Sequence, residues 1–329
     1  MRHRTPHDRR CTYVVPLEEQ AAGSVDDLRV LAEYLSTLAV ADCDVLILDA
    51  AAADEFERNR TILRWVGRHV AVDARNRTAS GAIDSVRAAV AFAPCEKVIV
   101  AAPDVRYTAD EIAAVCDLLD LHEVVEPQDY LDPLPWWGGI EAGRMLVHRS
   151  IEPYPDHGAT FGFRRSAIRG LRGLDAFDLG DDPVRRLSAQ GVEIFSALDL
   201  FVCRRPPQLG EWLHERTRQA EDDFALPVKS AFFFALIPMA ILLTLFGGMR
   251  IAGGYFGAIA FASIALAVRG RIGAGSVFPL RACFYAPLWV AERALSVYWA
   301  LGLKMRGATI PTGHEVVAEK TSARFASGE

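Results

Sequence analysis

The stretch AFFFALIPMAILLTLFGG, Ala231 to Gly248, followed after Met249 and Arg250 by IAGGYFGAIAFASIALAV, Ile251 to Val268, decides how this chain is built. Neither run contains a charged side chain. At 1.5 Å of rise per residue a helix over either run reaches roughly 27 Å, close to the roughly 30 Å hydrocarbon core of a bilayer. Two such runs joined by two residues predict a tight transmembrane hairpin; the alternative is a buried helical pair in a large soluble domain. Pro238 would kink the first helix, a break that is tolerated where neighbouring helices satisfy the freed backbone.

A third apolar run, Phe284 to Leu303, is interrupted by Glu292 and Arg293. Charges at mid-bilayer are costly, so an interfacial helix is expected, with the charged pair in water and Leu288, Trp289, Leu295 and Trp299 buried; a third span is the alternative. Lys229 precedes the first span, and Arg269, Arg271 and Arg281 follow the second. A hairpin puts all four on one side, which the positive-inside rule assigns to the cytoplasm. Localisation is therefore expected at the inner (cytoplasmic) membrane, multi-pass, with the N-terminal domain cytoplasmic.

The membrane region is bounded at 228–306, with spans about 231–248 and 251–268 and the apolar or interfacial helix about 284–303. Before it lies a domain of 12–227, preceded by a basic disordered tail, 1–11, and the chain closes with a flexible tail, 307–329. Apolar residues make up 51% of the chain, yet it carries 42 acidic against 36 basic side chains for a net charge of −6, so charge is concentrated ahead of the spans. About 200 residues are enough to bury a core. An acidic domain is a poor nucleic-acid binder, because phosphate neutralisation needs clustered Lys and Arg. The basic run Arg2 to Arg10 lacks the apolar core of a signal peptide. Six cysteines without CxxC spacing indicate neither a zinc site nor a disulfide framework.

Ahead of the spans, β-rich runs at Thr12–Val15, Val45–Leu48, His69–Val72, Lys97–Val100 and Glu123–Val125 alternate with helical patterns at Val25–Leu38, Glu55–Val66, Ala82–Phe92 and Ala109–Leu119. Ser24 and Asp54 stand as N-caps, and Thr108 with Glu111 forms a capping-box pattern. The alternation predicts an α/β fold of βαβ units around a mostly parallel sheet. Ligands of such sheets sit beyond the carboxyl ends of the strands. That singles out Pro16 to Glu19, Asp49, and Pro103 to Tyr107. Asp49 could accept from a base or ribose and Asp104 could hold a divalent cation; either could equally be a helix cap or turn residue.

In order along the chain, Tyr13-Val14-Val15-Pro16-Leu17-Glu18-Glu19, Leu46-Ile47-Leu48-Asp49, Val98 to Tyr107, Gly158 to Arg165 with Asp181-Asp182 after it, and Glu215 to Gln219 ahead of the apolar runs resemble the motifs of the membrane-associated family 2 glycosyltransferases. These are inverting enzymes with a Rossmann-like, GT-A type nucleotide-diphosphosugar transferase fold. The resemblance covers Thr12 to Arg306. It implies donor-binding roles for Pro16, Glu18, Asp49, Asp104, Arg216 and Arg218, with Mg2+ or Mn2+ on Asp104, and a catalytic base at Asp182 with Asp181 beside it. An inverting transfer needs such a carboxylate to deprotonate the acceptor hydroxyl, and the leaving diphosphate needs cationic compensation. Asp181 and Asp182 could also be N-caps before Pro183, and Arg216 and Arg218 could be interfacial arginines on lipid phosphates. Trp136 and Trp137, in the aromatic stretch Gln128 to Gly139, could stack acceptor sugar rings or close the core.

Departures accompany the matches. Ala102 and Pro103 stand in the first two places of Asp-x-Asp, no lysine follows Asn76, four alanines follow Asp49, and the Gln-x-x-Arg-Trp site lacks its glutamine and tryptophan. The resemblance implies a hexosyltransferase that moves a sugar from a nucleotide-sugar donor to a lipid-linked or polyprenyl-type acceptor at the cytoplasmic leaflet. The alternative is a degenerate member acting as partner or scaffold of a related glycosyltransferase.

Overall fold

The computed structural model describes residues 10–17, 25–40, 42–72, 81–151, 159–171, 183–210, 212, 213, 216 and 227–305. Contacts divide the chain into two compact units that are not consecutive in sequence. The first is Met1–Asp129 with His157–Arg205; the second is Tyr130–Asp156 with Pro206–Glu329. The segment after residue 129 therefore belongs with the C-terminal helices.

The first unit is built on an α/β sheet of eight strands: β1 (Cys11–Leu17), β2 (Cys43–Asp49), β3 (Arg68–Ala71), β4 (Lys97–Ala101), β5 (Val105–Arg106), β6 (Val124–Leu131), β7 (Thr160–Arg164) and β8 (Ile194–Arg204). Their order is β3-β2-β1-β4-β7-β6-β8-β5. The half containing β3, β2, β1 and β4 is parallel, as the strand and helix alternation requires. Strand β7 then runs antiparallel to both β4 and β6, and β5 antiparallel to β8, so the sheet as a whole is mixed. Strand β1 is longer than its β-branched run suggested, and Pro16 lies inside it opposite Leu48 rather than in a following turn.

Successive strand residues face opposite sides, which sorts the core into two layers. Tyr13, Val15, Val45, Ile47 and Ile99 pack with Leu28, Leu31 and Leu35 of α1 (Val25–Val40) and with Ile112, Val115 and Leu119 on and after α4 (Ala109–Leu118). Val14, Leu46, Leu48, Val98 and Val100 pack on the other side with Ile83, Val86 and Ala89 of α3 (Gly81–Phe92) and with Val184 and Leu187 of α7 (Pro183–Ala189). Helix α4 starts with the capping box anticipated: Thr108 N donates to Glu111 at 2.8 Å and Glu111 N to Thr108 Oγ1 at 3.3 Å. Helix α2 (Ala53–Leu63) starts two residues earlier than expected, with Ala52 as its N-cap and Asp54 in its first turn. A four-residue helix, α6 (Arg165–Ile168), follows β7.

In the second unit, α5 (Gly138–Ile151), α8 (Pro227–Gly270), a 3-10 turn (Leu280–Tyr285) and α9 (Ala286–Met305) pack together. Within α8, Ser230–Gly270 is long and apolar enough to cross a membrane. It is not one rod, however. Gly248 has φ 74° and ψ 173°, a conformation open only to glycine, and breaks the helix. Tyr255 Oη then donates to the carbonyl of Leu236 at 3.3 Å. Nineteen residues along a straight helix would separate these groups by roughly 28 Å, so the chain folds back at Gly248 and the two arms lie side by side. Gly270, at the end of the second arm, sits so close to α5 that a Cβ there would lie 1.9 Å from the carbonyl oxygen of Leu146.

Of the charged pair on α9 expected in water, Arg293 is buried and Glu292 half-buried. The buried stripe of α9 is Ala286, Trp289, Val290, Arg293, Ala294, Val297 and Ala300, while Leu288, Leu295 and Trp299 are exposed. Burial of Arg293 has a physical cause inside this unit, where acidic partners are available: Glu141 of α5 and Glu292 lie in the same charge cluster as Arg293 and Arg216. Large apolar side chains of α8 face outward instead; Leu245, Phe246, Met249 and Phe261 are 73, 86, 77 and 76% exposed.

Candidate functional site

The carboxyl ends of the parallel strands carry two of the aspartates singled out from sequence. Asp49, at the end of β2, is buried and fully engaged. Its Oδ1 accepts from Ala51 N at 2.9 Å, and its Oδ2 from Asn59 Nδ2 at 3.0 Å and, at 2.8 Å, pairs with His69 Nε2. Burial works to raise its pKa, but the bonds from His69, the Ala51 amide and Asn59 outweigh it and hold the carboxyl below the usual range. Asp49 thus ties the turn after β2 to α2 and β3, and its lone pairs serve the fold.

Asp104, just beyond β4, is about two-thirds buried. Arg204 Nε, from the last residue of β8, donates to its Oδ2 at 2.6 Å, and Arg204 Nη1 lies 3.6 Å from Asp129 Oδ2. One guanidinium stands between two carboxylates. The backbone fixes this meeting, because β5 pairs with β8 in the register Val105 to Arg204, and Arg205 N donates to the Asp104 carbonyl at 2.9 Å. Among the described residues, the buried Asp104 Oδ1 finds no hydrogen-bond partner. Arg106 folds back on the same turn, donating to the carbonyls of Pro103 at 2.6 Å and Val105 at 2.7 Å while lying 4.6 Å over the ring of Tyr34. Burial, together with the nearby Arg205 charge, lowers its pKa.

A chain of hydroxyl bonds runs from the same turn into the core. Tyr107 Oη bonds Thr160 Oγ1 at 2.9 Å, Thr160 donates to the Val100 carbonyl at 2.8 Å, and Tyr107 N donates to Tyr34 Oη at 2.7 Å. Tyr34 in turn donates to Tyr13 Oη at 3.2 Å. Burial raises the pKa of Tyr13, Tyr34 and Tyr107, so all three are neutral donors near neutral pH. Tyr107 lies in the segment singled out from sequence, but Tyr34, Thr160 as the partner of Tyr107, and Arg204 do not stand out there; Arg204 ends a strand whose alternation is broken by Ser196 and Asp199.

A divalent ion does not fit Asp104 as it stands. The carboxylate already holds a guanidinium, two more arginines lie at the same turn, and among the described residues no three His, Cys, Asp or Glu side chains are grouped to hold a metal. Of the other residues anticipated, Glu18, Arg218, Asp181 and Asp182 lie outside the described residues. Asp49 and Asp104 belong to the first unit; Trp136, Trp137 and Arg216 belong to the second.

In that second unit Trp136 is exposed and Trp137 half-buried, their rings edge to face at 6.2 Å ahead of α5. Arg216 is buried, ion-paired with Glu141 and 5.2 Å from the ring of Trp212. Glu141 also accepts from Arg144 Nε at 2.8 Å. Burial lowers the pKa of Arg216 and Glu141 opposes the shift, so Arg216 remains a cation held inside the helices.

No protein-family model matches the chain, and no curated protein matches its sequence. Similar solved structures include a mannosyltransferase, PcManGT from Pyrobaculum calidifontis, in complex with GDP-Man and Mn2+: 18% identity over 89% of this chain and 88% of that one, TM-score 0.49. Glucosyl-3-phosphoglycerate synthase from Mycobacterium tuberculosis, in complex with Mn2+, UDP and glucosyl-3-phosphoglycerate, is 13% identical over 66% of this chain and 80% of its own, TM-score 0.43. Residues 1–349 of TarS from S. aureus are 12% identical over 90% of this chain and 91% of their own, TM-score 0.39.

Proposed function

We propose that this chain is a membrane-anchored glycosyltransferase of the nucleotide-diphosphosugar type, moving a sugar from a nucleotide-sugar donor to a lipid-linked or polyprenyl-type acceptor. The observation that carries this reading is the placement of Asp104, with Arg204 and Arg205, at the carboxyl end of β4, where a sheet of this kind receives its ligand. Support also comes from the order of the five sequence motifs, within which Asp182 is the base; Trp136 and Trp137, in the separate aromatic stretch Gln128 to Gly139, meet the acceptor. Anchoring is supported by the apolar run Ser230–Gly270 and by the large apolar side chains of α8 that face outward, an arrangement that suits lipid. In this reading the anchor is the α8 hairpin in the inner membrane, multi-pass, with the sheet on the cytoplasmic side.

A second reading, a degenerate partner of a related glycosyltransferase, is favoured by one observation: every oxygen of Asp49 is taken by internal donors. The two separate in one experiment. Purified protein in lipid nanodiscs is given radiolabelled nucleotide sugars and a membrane lipid extract, and organic-phase label is counted. Transfer that is lost in Asp182→Asn is expected; no transfer from any donor, with no donor bound in calorimetry, would sink the enzyme.

A further inference from the structure

We propose that Arg204 takes the place of a divalent ion in this site, supplying, with Arg205 beside it, the positive charge for the donor's diphosphate, so that nucleotide binding by this chain needs no metal. The inference rests on the transferase reading. Its starting point is Ala102-Pro103-Asp104, where one acidic side chain remains at the end of β4. A lone carboxylate is a weak anchor for Mg2+ or Mn2+, which take one or two carboxylates together with substrate phosphates. The one that remains is already neutralised by a guanidinium at 2.6 Å.

That guanidinium is placed rather than incidental. Arg204 is opposite Val105 in the β5 and β8 ladder, the Arg205 amide is tied to the Asp104 carbonyl, and Asp129 lies 3.6 Å from Arg204 Nη1 on the other flank. Two carboxylates and two backbone bonds hold the cation in a fixed orientation before any ligand arrives. Its side chain is 31% exposed and Arg205 is exposed, so both can meet a ligand entering from solvent. Arg106 adds a third positive charge on the same turn, with its Nη1 used on the carbonyls of Pro103 and Val105. A planar guanidinium matches the paired oxygens of a phosphate. Fixed cations of this kind compensate a leaving diphosphate without a metal's coordination sphere.

Nucleoside diphosphates (UDP, GDP, ADP, CDP) are titrated by calorimetry into the full chain in nanodiscs, once with excess EDTA and once with Mn2+. The expected result is one nucleotide whose affinity agrees within about twofold under the two conditions. Arg204→Gln should weaken it at least tenfold in EDTA without rescue by Mn2+, and Arg204→Lys, which keeps the charge but loses the planar fork, should fall between. Binding that appears only with Mn2+ overturns the inference while leaving the transferase reading standing, and so does unchanged affinity in Arg204→Gln. Because the EDTA comparison is made on the unaltered protein, a variant that fails to fold leaves the decision intact. No nucleotide bound under either condition overturns the transferase reading and this inference with it.

Discussion

Removing the carboxylate of Asp49 would strand three groups at once, the Ala51 amide, Asn59 and His69, in a buried place. Each unsatisfied buried group costs about 1–3 kcal/mol, so Asp49→Ala should destabilise the sheet unit by at least about 3 kcal/mol, read as a fall in the denaturant midpoint of nanodisc-embedded protein. The lowered pKa adds a pH signature. A depressed carboxyl contributes stability above its unfolded value of about 4 and loses it as pH falls through the folded value. Asp49→Asn should therefore show a shallower loss of stability below about pH 4 than the parent; parallel acid limbs would refute this. Strand-end position alone made Asp49 and Asp104 legible in sequence. What it could not give was their partners: Arg204 is a hundred residues from Asp104 and is brought to it only by the β5 and β8 pairing.

At the scale of elements, Pro238 and Tyr298 answer one another. A proline lacks the amide that would bond the carbonyl four residues earlier, here Phe234, and Tyr298 Oη of α9 donates to that carbonyl at 2.6 Å. Tyr298→Phe should cost about 1 kcal/mol in the parent and markedly less in Pro238→Ala, where the helix supplies its own donor. Equal costs in both backgrounds would refute the pairing. Gly248→Ala should cost about 1–3 kcal/mol, because φ 74° with ψ 173° admits no side chain without strain; an unchanged thermal midpoint would mean the arms join differently. The hairpin and the helix positions could be read from apolar runs, since periodicity and length are local. The burial of Arg293 could not. Glu292 and Arg293 looked like water-facing charges because their partners, Glu141 and Arg216, are far away in sequence.

For the whole molecule, the long apolar helix α8 with its outward-facing apolar side chains predicts an integral membrane protein. It should stay in the pellet after alkaline carbonate washing and leave it only with detergent; release by carbonate would overturn the anchor. A reporter fused after Glu329 should read cytoplasmic if α8 alone crosses and returns. The chain passes from one unit to the other after Asp129, after Asp156 and after Arg205. That weaving sets a timetable for synthesis. Helix α5 leaves the ribosome with Glu141 and Arg144 aboard, but Arg293 follows only about 150 residues later, roughly ten to thirty seconds at ordinary translation rates. Through that interval α5 is an orphan on the nascent chain, dependent on whatever shelters unfinished helices, and a message truncated near Pro227 would release it with half its partners never made.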